Sequence, residues 1–361
     1  MKKITFFIGP RQEFLKVLPT EDTMNLTEFV REIELIAKRG SEIKYYEDTN
    51  LIVYSDEYTG VNEHFIENFL NYLSFYEFDQ LYLHNPPEKI INQFRRSQYG
   101  NNIEIIENGH KKVTKDFLKD IKKNFSTRII GQESVEGDLL ATLYPLINES
   151  FTKPVVVMFY GPSGIGKTET AKFINSLLNE DKKLFRKQFS MYQNESFSSY
   201  LFGDSTTRSS FSKDLLDRES NIILLDEFDK AHPIFHSAFY QMFDEGIFVD
   251  KNYKVNLEKA IIICTSNYNS QAEIKKHVGE AIFTRFDSFI KFNPLSSDAK
   301  AEIIKQQYIK QLSFFSHDEQ QLIEKKKIQE IALRNIDQFT NVREIEKNIR
   351  KLMTIPLIEN L

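Results

Sequence analysis

The sequence predicts a chain of the α/β class. Three observations carry that prediction: strand-like and helix-like segments alternate through residues 1 to about 110, a glycine-rich loop joins a wholly apolar strand to an amphipathic helix, and the final stretch is helical throughout. The expected parts are a small N-terminal α/β domain over residues 1–110, an amphipathic linker helix over 111–128, a larger α/β domain over 129–293 and a small helical domain over 294–361. At 361 residues there is room for several cores. A hydrophobic content of 41% and a charged content of 27% are ordinary for a globular chain.

In the N-terminal domain the strand candidates are Lys3–Ile8, Ile43–Tyr46, Leu51–Ser55, Gln80–Leu83 and Ile103–Ile106. The helix candidates are Leu26–Lys38, with Leu26, Phe29, Val30, Ile33 and Ile36 on one face, then Val61–Leu73 and Glu88–Arg96. This alternation predicts a mostly parallel sheet flanked by helices. The loops at Ser55-Asp56 and His84-Asn85 fall where open α/β sheets bind ligands, yet they carry no phosphate fingerprint and read as ordinary polar loops. From Thr114 to Phe125, Phe117, Leu118, Ile121 and Phe125 form one stripe of a lysine-rich helix whose charges read as a solvated face.

The run Val155–Tyr160 reads as a buried strand, and Glu169 to Leu178 has the spacing of an amphipathic helix. Between them stand Gly161, Pro162, Ser163, Gly164, Ile165, Gly166, Lys167 and Thr168, a match to G-x-x-x-x-G-K-[ST]. Backbone N–H groups of such a loop converge on phosphates, and the helix N-terminus adds partial positive charge. The glycines permit close backbone approach, Lys167 is expected on the β/γ-phosphates, and the Thr168 hydroxyl is expected to ligate Mg²⁺. Glu169 opens the helix beside them. Together these residues predict binding of a nucleoside triphosphate with Mg²⁺.

Residues Ile222–Leu225 form another apolar run, which ends in Asp226 and Glu227. Placed roughly 55 residues after a phosphate loop, such a pair suits a magnesium nucleotide site. Asp226 is expected to hold Mg²⁺ through water, and Glu227 to orient and polarise an attacking water. A third apolar strand, Ala260–Cys264, runs into Thr265-Ser266-Asn267, and the Asn267 amide is expected at the γ-phosphate or the same water. The lone cysteine, Cys264, reads as a buried small side chain and excludes an intramolecular disulfide or a cysteine-based zinc site.

With these motifs the chain resembles an AAA+ ATPase, and within that superfamily it is similar to the Clp-type unfoldases. Ile129-Ile130-Gly131-Gln132 resembles the segment that opens the module beside the adenine, which implies Ile130 and Gly131 as nucleotide contacts. Phe228-Asp229-Lys230-Ala231-His232-Pro233 resembles the continuation of D-E-x-x-K-A-H. Residues 239–246 and the hairpin-like stretch from Ile247 to Leu257 resemble the insertion before the third strand. Ala281–Asp287 matches the place of an arginine finger, Arg285, acting on a neighbouring subunit. Thr340–Ile345 matches the second sensor, Arg343, on a helical lid, with Arg350 nearby as a weaker match. The resemblance covers about 129 to 361 and implies an AAA+ large α/β domain, a helical lid, ATP hydrolysis and a homo-oligomeric ring, by family habit a hexamer.

The resemblance also has gaps. The usual pore-loop Gly-Tyr-Val-Gly is missing. After Tyr200-Leu201-Phe202-Gly203 the interval to the acid strand is polar, and Phe211 reads either as a grip or as the packed start of a helix. Between Asn267 and the arginine-finger segment there is no Ile-Gly-Phe-like tripeptide; His277-Val278-Gly279-Glu280 is a poor substitute, so no Clp-type peptidase partner is expected. Function therefore reads as remodelling of a protein client bound through the N-terminal domain. Two alternatives stay open: an ATP-gated assembly switch, and a nucleic-acid-directed motor. The net charge of −5 argues against the last. No apolar stretch reaches membrane-spanning length and the first residues lack a signal-peptide core, so no membrane partner and a cytoplasmic location are expected.

Overall fold

The computed structural model describes residues 3–20, 22–39, 49–74, 76, 78–191, 196–203 and 209–359. The expected strand Ile43–Tyr46 lies outside these residues, as does 204–208 of the interval expected to replace the pore loop. The chain divides into two compact units. One comprises Met1–Lys111, Tyr192–Asn221 and Ile234–Ala260; the other comprises Lys112–Met191, Ile222–Pro233 and Ile261–Leu361.

In the first unit, β1 (Lys3–Ile8), β2 (Thr23–Asn25), β3 (Asn50–Val53), β4 (Gln80–His84) and β5 (Ile103–Glu107) form an all-parallel sheet in the order β2-β3-β4-β1-β5. The short edge strand β2 has no apolar run that a sequence reading could detect. Alternation along the strands sends Ile4, Phe6, Leu51, Val53, Leu81 and Leu83 to one face, where Phe29, Phe69 and Phe94 cover them. Each such side chain, fully buried, contributes about 1.5–3 kcal/mol. The opposite face packs Phe7, Ile52 and Tyr82 with Phe14.

At the strand ends of this sheet the polar groups bond to each other. The Gly9 N–H donates to Asn85 Oδ1 at 2.9 Å and Asn85 Nδ2 donates to the Gly9 carbonyl at 2.9 Å. His84 Nε2 lies 2.7 Å from the same carbonyl, while the ring stacks on Phe14. Burial is the main reason that His84 is held down to about 4, so the ring is neutral at physiological pH. In the later segments of this unit, Phe211 begins the helix Phe211–Leu216 and is fully buried against Tyr200, Phe239 and Phe248. The hairpin-like stretch is a hairpin, with β9 (Ile247–Val249) antiparallel to β10 (Lys254–Asn256).

The second unit holds β6 (Val155–Tyr160), β7 (Phe185–Gln188), β8 (Ile222–Asp226), β11 (Ile261–Ser266) and β12 (Ser288–Lys291), all parallel in the order β12-β6-β11-β8-β7. Every residue of β6, β8 and β11 is buried, as near-continuous apolar runs in a parallel sheet require. The helix Lys115–Arg128 turns Phe117, Leu118, Ile121 and Phe125 into the same core. Beyond β12 the chain is helical, through Ser297–Leu312, His317–Lys325, Ile328–Arg334 and Val342–Ile358. A capping box at Ser316 and Glu319 starts the second of these helices, and Asn341 caps the fourth. This is a mixed α/β fold with a parallel phosphate-loop sheet and a helical C-terminal part. Among the described residues, no helix is long and apolar enough to cross a membrane.

Candidate functional site

The site forms at the C-terminal ends of β6, β11 and β8, because register brings those ends level. Ser266 lies opposite Tyr160, and Cys264 lies opposite Leu225. One residue further, the acid at the end of β8 meets the polar end of β11. In a parallel sheet this is the edge where ligands bind.

The phosphate loop leaves β6 at Gly161, whose φ of 132° suits glycine alone; an added Cβ would sit 2.2 Å from the Phe292 carbonyl oxygen. Gly164 and Gly166 also have positive φ, and Gly166 delivers the chain into the helix Lys167–Asn179. Ile165 anchors the loop in the core. Gln132, 1% exposed, fixes it from outside: its amide donates to the Ile165 carbonyl at 3.4 Å and the Asn293 carbonyl at 2.8 Å, and accepts from the Asn293 N–H at 3.0 Å. Next to it, Gly131 has a φ of 74°, and a Cβ there would meet Ala299 Cβ at 2.5 Å. Ile130 packs on the core from a half-buried position.

Lys167 Nζ folds over the loop. It donates to the carbonyls of Gly161 at 2.5 Å and Pro162 at 2.7 Å, and to Asn267 Oδ1 at 3.1 Å. Burial pushes its pKa down to about 8; Asp226 and Asp229 oppose that shift, and Arg343 adds to it. The Thr168 hydroxyl lies 3.5 Å from Asp226 Oδ1. Thr265 Oγ1 donates to the same Asp226 oxygen at 2.6 Å and accepts the Glu227 N–H at 2.8 Å, so one hydroxyl sets both acids. Glu227 has a φ of 55°, a left-handed conformation rare outside glycine. Backbone strain of this kind clusters at functional sites. Its carboxylate accepts from Gln188 Nε2 at 3.2 Å, and Arg186 bonds Asp226 Oδ2.

The structure thus brings Lys167, Thr168, Asp226, Glu227 and Asn267 together. Arg343, at the start of the last helix, reaches Ser163 Oγ at 3.4 Å, and the Val342 N–H donates to the Gly164 carbonyl at 3.0 Å. Glu169 points outward to Lys172 at 3.3 Å. Arg285 follows the helix Glu280–Phe283 and bonds the Ala281 carbonyl of its own turn. Sequence reasoning missed Arg186, Gln188 and the dual contact of Thr265. The first two sit on β7, which lacks an apolar run. Thr265 carried a signal, since it continues an apolar strand into the polar triplet that ends at Asn267.

The donor set fits a magnesium nucleotide. Thr168 and Asp226 present hard oxygens side by side, and three glycines with positive φ leave the loop backbone open to phosphates. The sequence model for the AAA domain (Cdc48 subfamily) matches residues 152–334, half of the chain. The chaperone protein ClpB of Malacoplasma penetrans is 28% identical over 212 residues, which are 52% of this chain and 30% of that protein. ClpB of Wolinella succinogenes is 30% identical over 172 residues, 41% of this chain and 20% of that protein. The ATP-dependent Clp protease ATP-binding subunit ClpL of Staphylococcus aureus is 26% identical over 211 residues, 52% and 30% of the two chains. The similarity therefore spans less than a third of each of these relatives. The chain belongs to the AAA domain (Cdc48 subfamily) family and is an ATPase that, over about half of its length, is similar to part of these Clp-type relatives.

Proposed function

We propose that this ATPase hydrolyses ATP with Mg²⁺ and uses the cycle, as a homo-oligomeric ring, to remodel a protein client held by its N-terminal domain. The convergence of Lys167, Thr168, Asp226, Glu227 and Asn267 at one sheet edge carries this reading. Lys167, Asn267 and the loop N–H groups hold the β/γ-phosphates, with Ile130 and Gly131 beside the base. Thr168, and Asp226 through water, would hold Mg²⁺, which when bound neutralises phosphate charge. Glu227 accepts hydrogen bonds from the attacking water and orients it for in-line displacement. Arg343 ties the helical lid to the nucleotide, and Arg285 serves the site of a neighbouring subunit. The chaperone relatives support the client, the resemblance to Clp-type unfoldases supports the ring, and the net charge of −5 favours protein over nucleic acid.

A second reading, an ATP-gated assembly switch, is favoured by one observation. Phe211 is fully buried, and the Tyr200 hydroxyl donates to Asp214 at 2.5 Å, so neither of these aromatics serves as an exposed paddle. The test loads Glu227→Gln protein with ATP in cell extract and identifies what stays bound. The recovered protein is then mixed with unaltered enzyme. ATP-dependent unfolding of that client supports remodelling. Capture without any unfolding supports the switch.

A further inference from the structure

Asp226 is held from two sides. Its Oδ1 accepts the Thr265 hydroxyl at 2.6 Å and faces Thr168 Oγ1 at 3.5 Å. Its Oδ2 accepts a fork from Arg186, Nε at 3.0 Å and Nη2 at 2.5 Å. The two partners of this ion pair differ in freedom. The Asp226 side chain is 9% exposed and fixed by Thr265, whereas Arg186 projects from β7 at the sheet edge and is 41% exposed. Thr265 holds one carboxylate oxygen independently of Arg186, and the guanidinium adds its charge at the other.

That charge has a use. A bare, buried carboxylate beside a phosphate loop repels the phosphates, and a guanidinium on it cancels the repulsion. A divalent cation shared by Thr168 and Asp226 cancels it as well, and two cations on one carboxylate repel each other. We propose that Arg186 is an exchangeable counter-ion: it neutralises Asp226 until Mg²⁺ arrives and then yields the carboxylate, so that nucleotide can load ahead of the metal. This rests on the magnesium-nucleotide reading of the site.

The test compares binding of a fluorescent ADP analogue, N-methylanthraniloyl-ADP, in EDTA and in saturating Mg²⁺, for unaltered protein and Arg186→Gln. The substitution weakens binding in EDTA by about tenfold and in Mg²⁺ by less than about twofold, which widens the ratio between the two conditions. Arg186→Lys, which keeps the charge, stays close to the unaltered ratio. Equal losses in both conditions overturn the proposal, because they mark a phosphate contact or a structural role; so does an unchanged ratio. Unaltered protein that binds no analogue under either condition removes the site reading and the proposal together. A second measurement needs no variant to fold: the Arg186 Nε–H resonance of the ¹⁵N-labelled protein shifts on adding ADP with Mg²⁺ and holds in ADP with EDTA. A resonance that ignores Mg²⁺ overturns the exchange.

Discussion

Lys167 gives nucleotide binding a pH dependence that can be worked out from its surroundings. Its ammonium is buried under the loop, which lowers its pKa from 10.5 to about 8 in the empty site. Phosphate oxygens beside it favour the charged form, so binding raises the pKa again and draws in a proton wherever the empty site is neutral. At pH 7 about nine-tenths of the empty sites are charged, and at pH 9 about one-tenth. Affinity for ATP therefore falls about tenfold per pH unit above about 8, or about 1.4 kcal/mol per unit. The phosphate itself finishes titrating lower, near pH 6. Unfolding does not mimic this loss. The folded pKa lies below the unfolded value, so the unfolded chain binds more protons from about pH 8 to 10.5, and the empty fold gains stability as pH rises through that window. Calorimetry in buffers of different ionisation enthalpy reads the linkage directly: uptake of about 0.1 proton at pH 7 and about 0.9 at pH 9. Lys167→Arg, charged throughout, removes the uptake and controls for the α-amino group, which titrates in the same range. No uptake by the unaltered protein at pH 9 rules out a Lys167 that is neutral in the empty site and charged in the filled one.

Two further outcomes follow from the geometry and a third from the proposed ring. Thr265→Val keeps the shape of the side chain and deletes the hydroxyl between Asp226 and the Glu227 N–H; it costs about 1–3 kcal/mol in denaturant unfolding and lowers hydrolysis more than nucleotide affinity. Phe211→Ala opens a cavity among Tyr200, Phe239 and Phe248 and lowers stability by about 3–5 kcal/mol in the same measurement, as a packing residue does; a stable variant that fails only in client handling contradicts this. Arg285→Ala and Lys167→Ala are each inactive alone and recover part of the hydrolysis when mixed into common rings. An arginine finger is worth about 10³–10⁵ in rate, so even a minority of complete interfaces is measurable in a phosphate-release assay.

The phosphate loop, the acid pair and the buried strands were legible in the sequence because each is a local pattern. Val155–Tyr160 and Ile222–Leu225 are unbroken apolar runs, and the glycine positions follow from what the backbone must do. Burial of Phe211 was legible only as one of two readings, since a single aromatic before a helix has no periodicity to settle it. Contacts between distant positions were not legible. Gln132 meets Asn293 across 161 positions, and Arg186 meets Asp226 across 40. The edge strand β7 hid its site residues because its exposed, charged face reads like a loop. The N-terminal polar loops carried the opposite risk: His84 and Asn85 stand where a ligand site is common, and their hydrogen bonds go to Gly9, Ser55 and Phe7 within the same unit.

The central claim is that Glu227 activates water for ATP held by the Gly161–Thr168 loop, and one pair of numbers tests it. Phosphate release and retained ATP are measured together on the unaltered protein and on Glu227→Gln. The variant binds ATP at least as well, keeps it uncleaved, and loses hydrolysis by about 10²-fold or more. Hydrolysis at an undiminished rate by Glu227→Gln contradicts that claim.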